Sequence, residues 1–132
     1  MNEGQKIVVL GAGESGVGTA ILAQQKGFKV FVSDKGEIKE GYKKVLLNNE
    51  IDWEEGNHTL SKIMDADEVV KSPGIPDATQ LIIGLKQKGV SVVSEIEFAA
   101  RYTDAKLICI TGSNGKTTTA LMTYHIMSNA GL

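Results

Sequence analysis

The sequence predicts an α/β protein built on a parallel β-sheet. Short apolar runs alternate along the chain with longer segments of helical periodicity. Two of these runs end in glycine-rich loops, and each loop leads directly into a helical segment. Because consecutive parallel strands are joined by right-handed crossovers, the alternation implies helices on both faces of the sheet. We expect a Rossmann-like sheet of five strands, followed by a further strand, phosphate-binding loop and helix.

The first part of the chain predicts three strands and two helices. The run Lys6–Leu10 is rich in β-branched residues and ends at glycine, as expected for a strand buried on both faces. Gly27 ends the first helical pattern as a C-terminal cap, and Asp34 closes the second strand. The predicted strands are residues 6–10, 28–33 and 51–54, and the helices are residues 16–27 and 39–49.

The middle of the chain continues the alternation. A loop of sequence Ser-Pro-Gly-Ile-Pro at residues 72–76 stops one strand, and Gly89 ends the helix that follows. Ser94 is placed to cap a later helix, with Glu97 at its third position as in a capping box. The predicted strands here are residues 68–71 and 91–93, and the helices are residues 60–65, 79–88 and 95–102.

The last part of the chain predicts a sixth strand at residues 106–111 and a helix at residues 116–129. Cys109 lies in the apolar run and is expected to be a small, buried core residue. One strand, loop and helix cannot form a core alone. We therefore predict a first domain at residues 1–95 and the opening of an incomplete second domain at residues 96–132.

Composition narrows the class of protein. The chain has 132 residues, 42% of them apolar and 23% charged, with a formal net charge of -2. This balance is ordinary for a globular domain and indicates neither a nucleic-acid nor a membrane partner. The single cysteine cannot form an internal disulfide, which favours a cytoplasmic protein. We expect a monomer.

The second glycine loop, residues 111–117, reads Thr-Gly-Ser-Asn-Gly-Lys-Thr. A glycine turn between a strand and a helix directs backbone N–H groups and the positive helix end at one point, which suits phosphate. Lys116 supplies a charge for the outer phosphates, and Thr117 supplies a hydroxyl for Mg²⁺. The general P-loop has a glycine where this chain has Ile110, so the match departs from the pattern at one position.

The first glycine loop fits the pattern G-x-G-x-x-G through Gly11, Gly13 and Gly16. Asp34 follows roughly twenty residues later, where dinucleotide-binding domains carry a ribose-binding acid. Taken alone, the pattern favours NAD or FAD, but a uridine diphosphate suits the same glycines and helix N-terminus. The loop at residues 72–76 leaves a later strand at the same sheet edge, either as a further ligand contact or as an ordinary turn.

Together these segments resemble the Mur ligase family. The resemblance is carried by Gly-Ala-Gly-Glu-Ser-Gly at residues 11–16, by residues 72–76, by Ser-Glu-Ile-Glu-Phe at residues 94–98 and by residues 110–119. Members of that family commonly lack the first glycine of the P-loop, as this chain does at Ile110. The Ser-Pro-Gly-Ile loop at residues 72–75 and the Gly-Ser-Asn-Gly-Lys loop at residues 112–116 look more like those of the D-glutamate-adding branch than those of the L-alanine-adding branch.

The resemblance implies a three-domain, ATP- and Mg²⁺-dependent ligase of peptidoglycan synthesis. Its substrates would be UDP-N-acetylmuramoyl-L-alanine and D-glutamate, joined through an acyl phosphate. The UDP-binding residues it implies are Gly13, Glu14, Ser15, Gly16, Asp34, Lys35, Gly36 and Gly74. The ATP-binding residues are Gly112, Ser113, Asn114, Gly115, Lys116, Thr117 and Thr118, with Lys116 catalytic and Thr117 on the metal.

The family's further metal ligands, modified lysine and amino-acid site would lie beyond Leu132, so we expect the chain as given to bind the UDP moiety without catalysing. His58 and His125 match none of these groups, and we interpret them as surface or helix-face residues. The alternative is an NAD-binding regulatory or oxidoreductase domain, which would leave residues 112–117 unexplained.

Overall fold

The computed structural model describes residues 4–131, and its core is a five-stranded parallel sheet. The strands are β1 (Lys6–Leu10), β2 (Lys29–Ser33), β3 (Asp52–Glu54), β4 (Glu68–Lys71) and β5 (Ser91–Ser94). Their order in the sheet is β3-β2-β1-β4-β5, and every neighbouring pair is parallel. The chain therefore adds β2 and β3 on one side of β1, and then crosses to add β4 and β5 on the other side. This reversal creates a topological switch point between β1 and β4.

Helices cover both faces of this sheet, as predicted. They are α1 (Glu14–Gln25), α2 (Glu40–Asn48), α3 (Leu60–Ile63), α4 (Gln80–Gln87), α5 (Glu95–Ala100) and α6 (Lys116–Asn129). On one face, Ile7 and Val9 join the core residues of α1, α2 and α5. On the other face, Val8 and Leu10 join those of α3 and α4. Because β1 is central, its side chains are buried on both faces, which explains its unbroken apolar sequence.

The helix α5 begins with the predicted capping box. The Ser94 hydroxyl accepts a hydrogen bond from the Glu97 N–H at 3.2 Å, and the Glu97 carboxylate accepts one from the Ser94 N–H at 2.7 Å. Phe98, a residue of this helix, is fully buried, and its ring makes an edge-on contact with the ring of Tyr102. Thus α5 packs on the sheet, whereas the domain division after residue 95 stays a prediction.

The sixth strand predicted at residues 106–111 does not form, so that prediction is wrong for this structure. The segment pairs with none of the five strands, and Leu107 and Ile108 are 56% and 52% exposed. Cys109 is likewise exposed and not a core residue. An apolar run becomes a buried strand only where neighbours satisfy its backbone groups. Within residues 4–131, no second sheet is present to supply neighbouring strands for this segment.

The helix α6 forms over the predicted residues but buries none of its side chains. Four of its large apolar residues are more than half exposed, namely Leu121, Met122, Tyr124 and Ile126. The helix is therefore held by its own hydrogen bonds and not by a core. In the described part of the chain, no helix has the length and apolar character needed to cross a membrane.

Candidate functional site

A cleft of about 560 Å³ opens at the carboxyl edge of the sheet, beside the switch point between β1 and β4. Three loops meet there, one after each of β1, β2 and β4, and the segment after β3 closes one side. The lining residues are Gly11, Gly13, Asp34, Lys35, His58, Ser72, Gly74, Ile75, Pro76, Thr79 and Leu81. The cleft thus brings together four of the predicted UDP-binding residues, namely Gly13, Asp34, Lys35 and Gly74.

The first glycine loop is tightly packed against the start of α1. A Cβ at Gly16 would lie 2.0 Å from the carbonyl oxygen of Gly11, a distance that no side chain tolerates. Gly16 is therefore required for the loop to close on its own helix. The Gly11 N–H donates to the Ser33 carbonyl at 2.9 Å, which joins this loop to the end of β2.

Asp34 links the loops that follow β1 and β2. One carboxylate oxygen accepts a hydrogen bond from the Ala12 N–H at 2.6 Å, and the other accepts one from the Gly36 N–H at 2.8 Å. The neighbouring Lys35 is exposed and lines the cleft, so it is free to approach a ligand anion. This arrangement fixes one wall of the cleft and places a positive charge at its mouth.

The loop at residues 72–76 forms the opposite wall. The Ser72 N–H donates to the Leu10 carbonyl, and the Ile75 N–H turns back to the Ser72 carbonyl. The ammonium of Lys71, the last residue of β4, donates to the Ile75 carbonyl at 2.9 Å and so closes the loop. Gly74 is exposed with nothing near its Cβ position, so its lack of a side chain keeps the cleft mouth open.

His58 lies in this cleft, contrary to the interpretation of it as a surface or helix-face residue. Its Nδ1 is 2.7 Å from the hydroxyl of buried Ser33, and that hydroxyl is 2.7 Å from a Glu54 carboxylate oxygen. The same Glu54 oxygen accepts the Thr59 N–H at 2.7 Å. No motif marks His58 in the sequence; the only available signal was its place just after β3, at the carboxyl edge.

Ionisation in this group follows from its hydrogen bonds and burial. Burial opposes the charge of Glu54, but hydrogen bonds from Thr59 and Ser33 and the charge of Lys62 outweigh it and lower the pKa of Glu54. Burial is the largest cause that lowers the pKa of His58, and Lys35 adds to it. Glu54 is therefore a carboxylate and His58 a neutral imidazole near pH 7.

The remaining predicted UDP-binding residues lie outside the cleft lining. Glu14, Ser15 and Gly16 form the first turn of α1, where Glu14 and Ser15 are exposed and Gly16 is buried. The Gly36 N–H is bonded to Asp34. Their roles stay predictions. Glu95, to which the sequence assigned no role of its own, lies close to Gly16. It is only 7% exposed, and its Oε1 has no hydrogen-bond partner in the described structure.

The second glycine loop is exposed throughout and lies apart from the cleft lining. Gly115 has a φ of +75° and serves as the N-terminal cap of α6, a conformation that favours glycine. The Lys116 ammonium donates to the Gly112 carbonyl at 2.7 Å and so folds over the loop. Thr117 and Thr118 lie in the first turn of α6, where backbone N–H groups lack helical partners.

This loop has the chemical groups of a phosphate site, because N–H donors, a lysine and a threonine hydroxyl all occur at one helix N-terminus. Ser113 and Asn114 form the turn between the two glycines of the loop. Within residues 4–131, no cluster of three or more acidic, histidine or cysteine side chains could hold a metal ion.

Sequence comparison identifies relatives of the chain. Residues 6–81 match the sequence family described as the MurD N-terminal domain. A UDP-N-acetylmuramoylalanine–D-glutamate ligase from Bacteroides fragilis is 62% identical over 128 residues. That match covers 97% of this chain and 29% of the ligase. The chain thus spans less than a third of the curated relative's length.

Solved structures give a consistent result. A pseudomurein peptide ligase type C from Methanothermus fervidus has a TM-score of 0.65 and 30% identity, over 97% of this chain and 27% of that one. A murein peptide ligase from Psychrobacter arcticus has a TM-score of 0.70 and 26% identity, over the same shares of the two chains, 97% and 27%. Each similarity extends over nearly the whole of this chain but over little more than a quarter of the other protein.

Proposed function

The chain belongs to the MurD ligase family, and we propose that its cleft holds the uridine-diphosphate end of a UDP-N-acetylmuramoyl substrate. The observation that carries this proposal is the convergence of Gly13, Asp34, Lys35 and Gly74 at the switch point of the sheet. Ligands of open α/β sheets collect at such a point. The cleft also has an apolar wall, formed by Ile75, Pro76 and Leu81, which suits the flat face of a base.

The hydrogen bonds of Asp34 depart from those expected of a dinucleotide site. In a dinucleotide site, the acid after β2 accepts hydrogen bonds from ribose hydroxyls, and the loop N–H groups face the pyrophosphate. Here both oxygens of Asp34 already accept backbone N–H groups, one of them from Ala12 in the glycine loop. The two groups that an NAD site needs are thus bonded to each other.

For the second loop we propose binding of ATP phosphates in the full-length ligase. Lys116 would exchange its bond to the Gly112 carbonyl for one to a phosphate oxygen. Mg²⁺, with Thr117 among its ligands, would supply charge neutralisation to the transferred phosphoryl group. The residues present fit that role, since each lies at the exposed N-terminus of α6.

The whole reaction that we propose for the full-length protein forms one amide bond. The alanyl carboxylate of the UDP-linked substrate attacks the γ-phosphorus of ATP, giving an acyl phosphate and releasing ADP. The amine of D-glutamate then attacks the acyl carbon, loses a proton and displaces phosphate. We expect the 132-residue chain to bind the UDP moiety without turning over ATP, since the strand before its phosphate loop is not formed.

Titration calorimetry tests the proposal directly. UDP, UDP-N-acetylmuramoyl-L-alanine and NAD are each titrated into the chain under identical conditions. We expect both uridine ligands to bind and NAD to bind at least tenfold more weakly. Tighter binding of NAD than of either uridine ligand would overturn the proposal in favour of a dinucleotide-binding domain.

A further inference from the structure

The tautomer of His58 is fixed by its neighbours. The Ser33 hydroxyl has a single proton, and the ionised Glu54 carboxylate 2.7 Å away can only accept it. The Ser33 oxygen must therefore accept a hydrogen bond from Nδ1–H of His58, which is also 2.7 Å away. In a neutral imidazole with a proton on Nδ1, the opposite nitrogen, Nε2, carries a lone pair and is a hydrogen-bond acceptor.

The edge of the ring that carries Nε2 points away from Ser33. Among the described residues, the hydrogen bonds of His58 involve Nδ1 alone. The residue is half-buried and lines the cleft together with the apolar residues Ile75 and Leu81. A ligand base that contacts Nε2 within the cleft would thus meet an acceptor held in a single orientation.

From this geometry we propose that His58 is a specificity-determining residue that selects uracil over cytosine. This inference rests on the proposed uridine-diphosphate site. Uracil carries a hydrogen at N3 and donates it, whereas cytosine has a lone pair at N3. Nε2 of His58 therefore gains a hydrogen bond from uracil and faces a second lone pair in cytosine, an unpaired contact that is costly in a half-buried site.

Three charged groups act on the ring in addition to its burial. Asp34 and Glu54 favour the protonated imidazole, whereas Lys35 disfavours it, and burial is the largest cause of the lowered pKa. Protonation would turn Nε2 into a donor, which matches N3 of cytosine. Preference for UDP should therefore hold at neutral pH and fall, or reverse, as the ring is protonated in acid.

Calorimetry with UDP and CDP tests the inference, since the two ligands share the same diphosphate and ribose. For the unmodified chain at about pH 7.5 we expect UDP to bind on the order of tenfold more tightly. His58→Asn keeps an amide donor for Ser33 but removes Nε2, so the UDP-to-CDP ratio should fall to near one. His125→Phe, on exposed α6, is the matched control and should leave the ratio unchanged.

Separate outcomes distinguish the two proposals. If neither UDP nor CDP binds, the uridine-diphosphate site is overturned and this inference with it. Equal binding of UDP and CDP by the unmodified chain, or a ratio that survives in His58→Asn, overturns the role of His58 alone. Imidazole ¹⁵N shifts of the unliganded chain give a check that needs no ligand and no variant, because a proton found on Nε2 also overturns the inference.

Discussion

The carboxylate of Asp34 accepts a hydrogen bond from the Ala12 N–H at 2.6 Å, across the gap between the loops that follow β2 and β1. The same side chain also holds the Gly36 N–H, so one residue fixes the backbone of two loops. The acid that resembles the ribose-binding group of a dinucleotide site therefore braces the two loops that form this side of the cleft.

Replacing Asp34 by asparagine should weaken both the fold and the site. An amide has only one acceptor oxygen, so one of the two N–H groups would face an NH₂ group. We expect the free energy of unfolding to fall by about 1–3 kcal/mol and the affinity for UDP to fall on the order of tenfold. Denaturant unfolding and calorimetry measure the two effects.

The control for this change is Asp104→Asn, which alters the same functional group at an exposed position between α5 and the second glycine loop. It should change neither stability nor affinity. Equal effects of the two substitutions would show that Asp34 acts through net charge and not through its hydrogen bonds.

Replacing Gly16 by alanine should disrupt the first glycine loop. The added Cβ would meet the Gly11 carbonyl oxygen at 2.0 Å, and backbone cannot yield as a flexible side chain does. We expect a loss of about 2–4 kcal/mol in stability and no measurable binding of UDP. Gly18→Ala, one turn into the same helix and with open space around it, should instead stabilise α1 by about 0.5–1 kcal/mol. Similar destabilisation by both changes would refute the close-approach explanation.

Much of this architecture follows from local sequence signals. The run Lys6–Leu10 indicates a strand buried on two faces, and Ser94 with Glu97 indicates a helix start; the structure confirms both. These signals succeed because the responsible interactions are short-range or follow from uniform burial.

The sequence signals fail where the outcome depends on distant partners. Residues 106–111 have the composition of a strand, but composition does not say which strands will pair with them. His58 belongs to the cleft because Ser33, 25 residues earlier in the chain, holds its ring, and Glu54 in turn holds the Ser33 hydroxyl. Likewise, the spacing of Asp34 indicates a ribose-binding acid, whereas its bonds to backbone N–H groups become visible only in the fold.

The ion pair between Glu68 and Arg101 should make stability depend on pH. The guanidinium donates to both carboxylate oxygens, at 2.7 and 2.8 Å, and joins the end of α5 to β4. The hydrogen bonds from Arg101 are the largest cause that lowers the pKa of Glu68 below its ordinary value of 4.5. A carboxyl with a lowered folded-state pKa stabilises the fold above its unfolded-state value, and this stabilisation is lost as pH falls through the folded-state value.

Denaturant unfolding of the chain and of Glu68→Gln between about pH 7 and pH 3 measures this effect. At neutral pH the variant should be less stable by about 1 kcal/mol, a modest value because Arg101 is partly exposed. The difference should shrink below about pH 4.5 as the carboxyl is protonated. A difference that stays constant over this range would assign the effect to packing rather than to charge.

The two glycine loops should be separable by mutation in the full-length ligase. Lys116→Ala removes the ammonium that covers the second loop, and Lys116 lies outside the lining of the first cleft. We expect ligation to fall by on the order of a hundredfold or more, because charge on the transferred phosphoryl group loses a preorganised partner. Binding of UDP-N-acetylmuramoyl-L-alanine should stay within about twofold, since the cleft keeps its walls. Lys44→Ala, at an exposed position of α2, is the matched control and should leave both quantities unchanged. Measured ligation rates and calorimetric affinities decide the matter: parallel loss of both in Lys116→Ala would mean that the loops form one site.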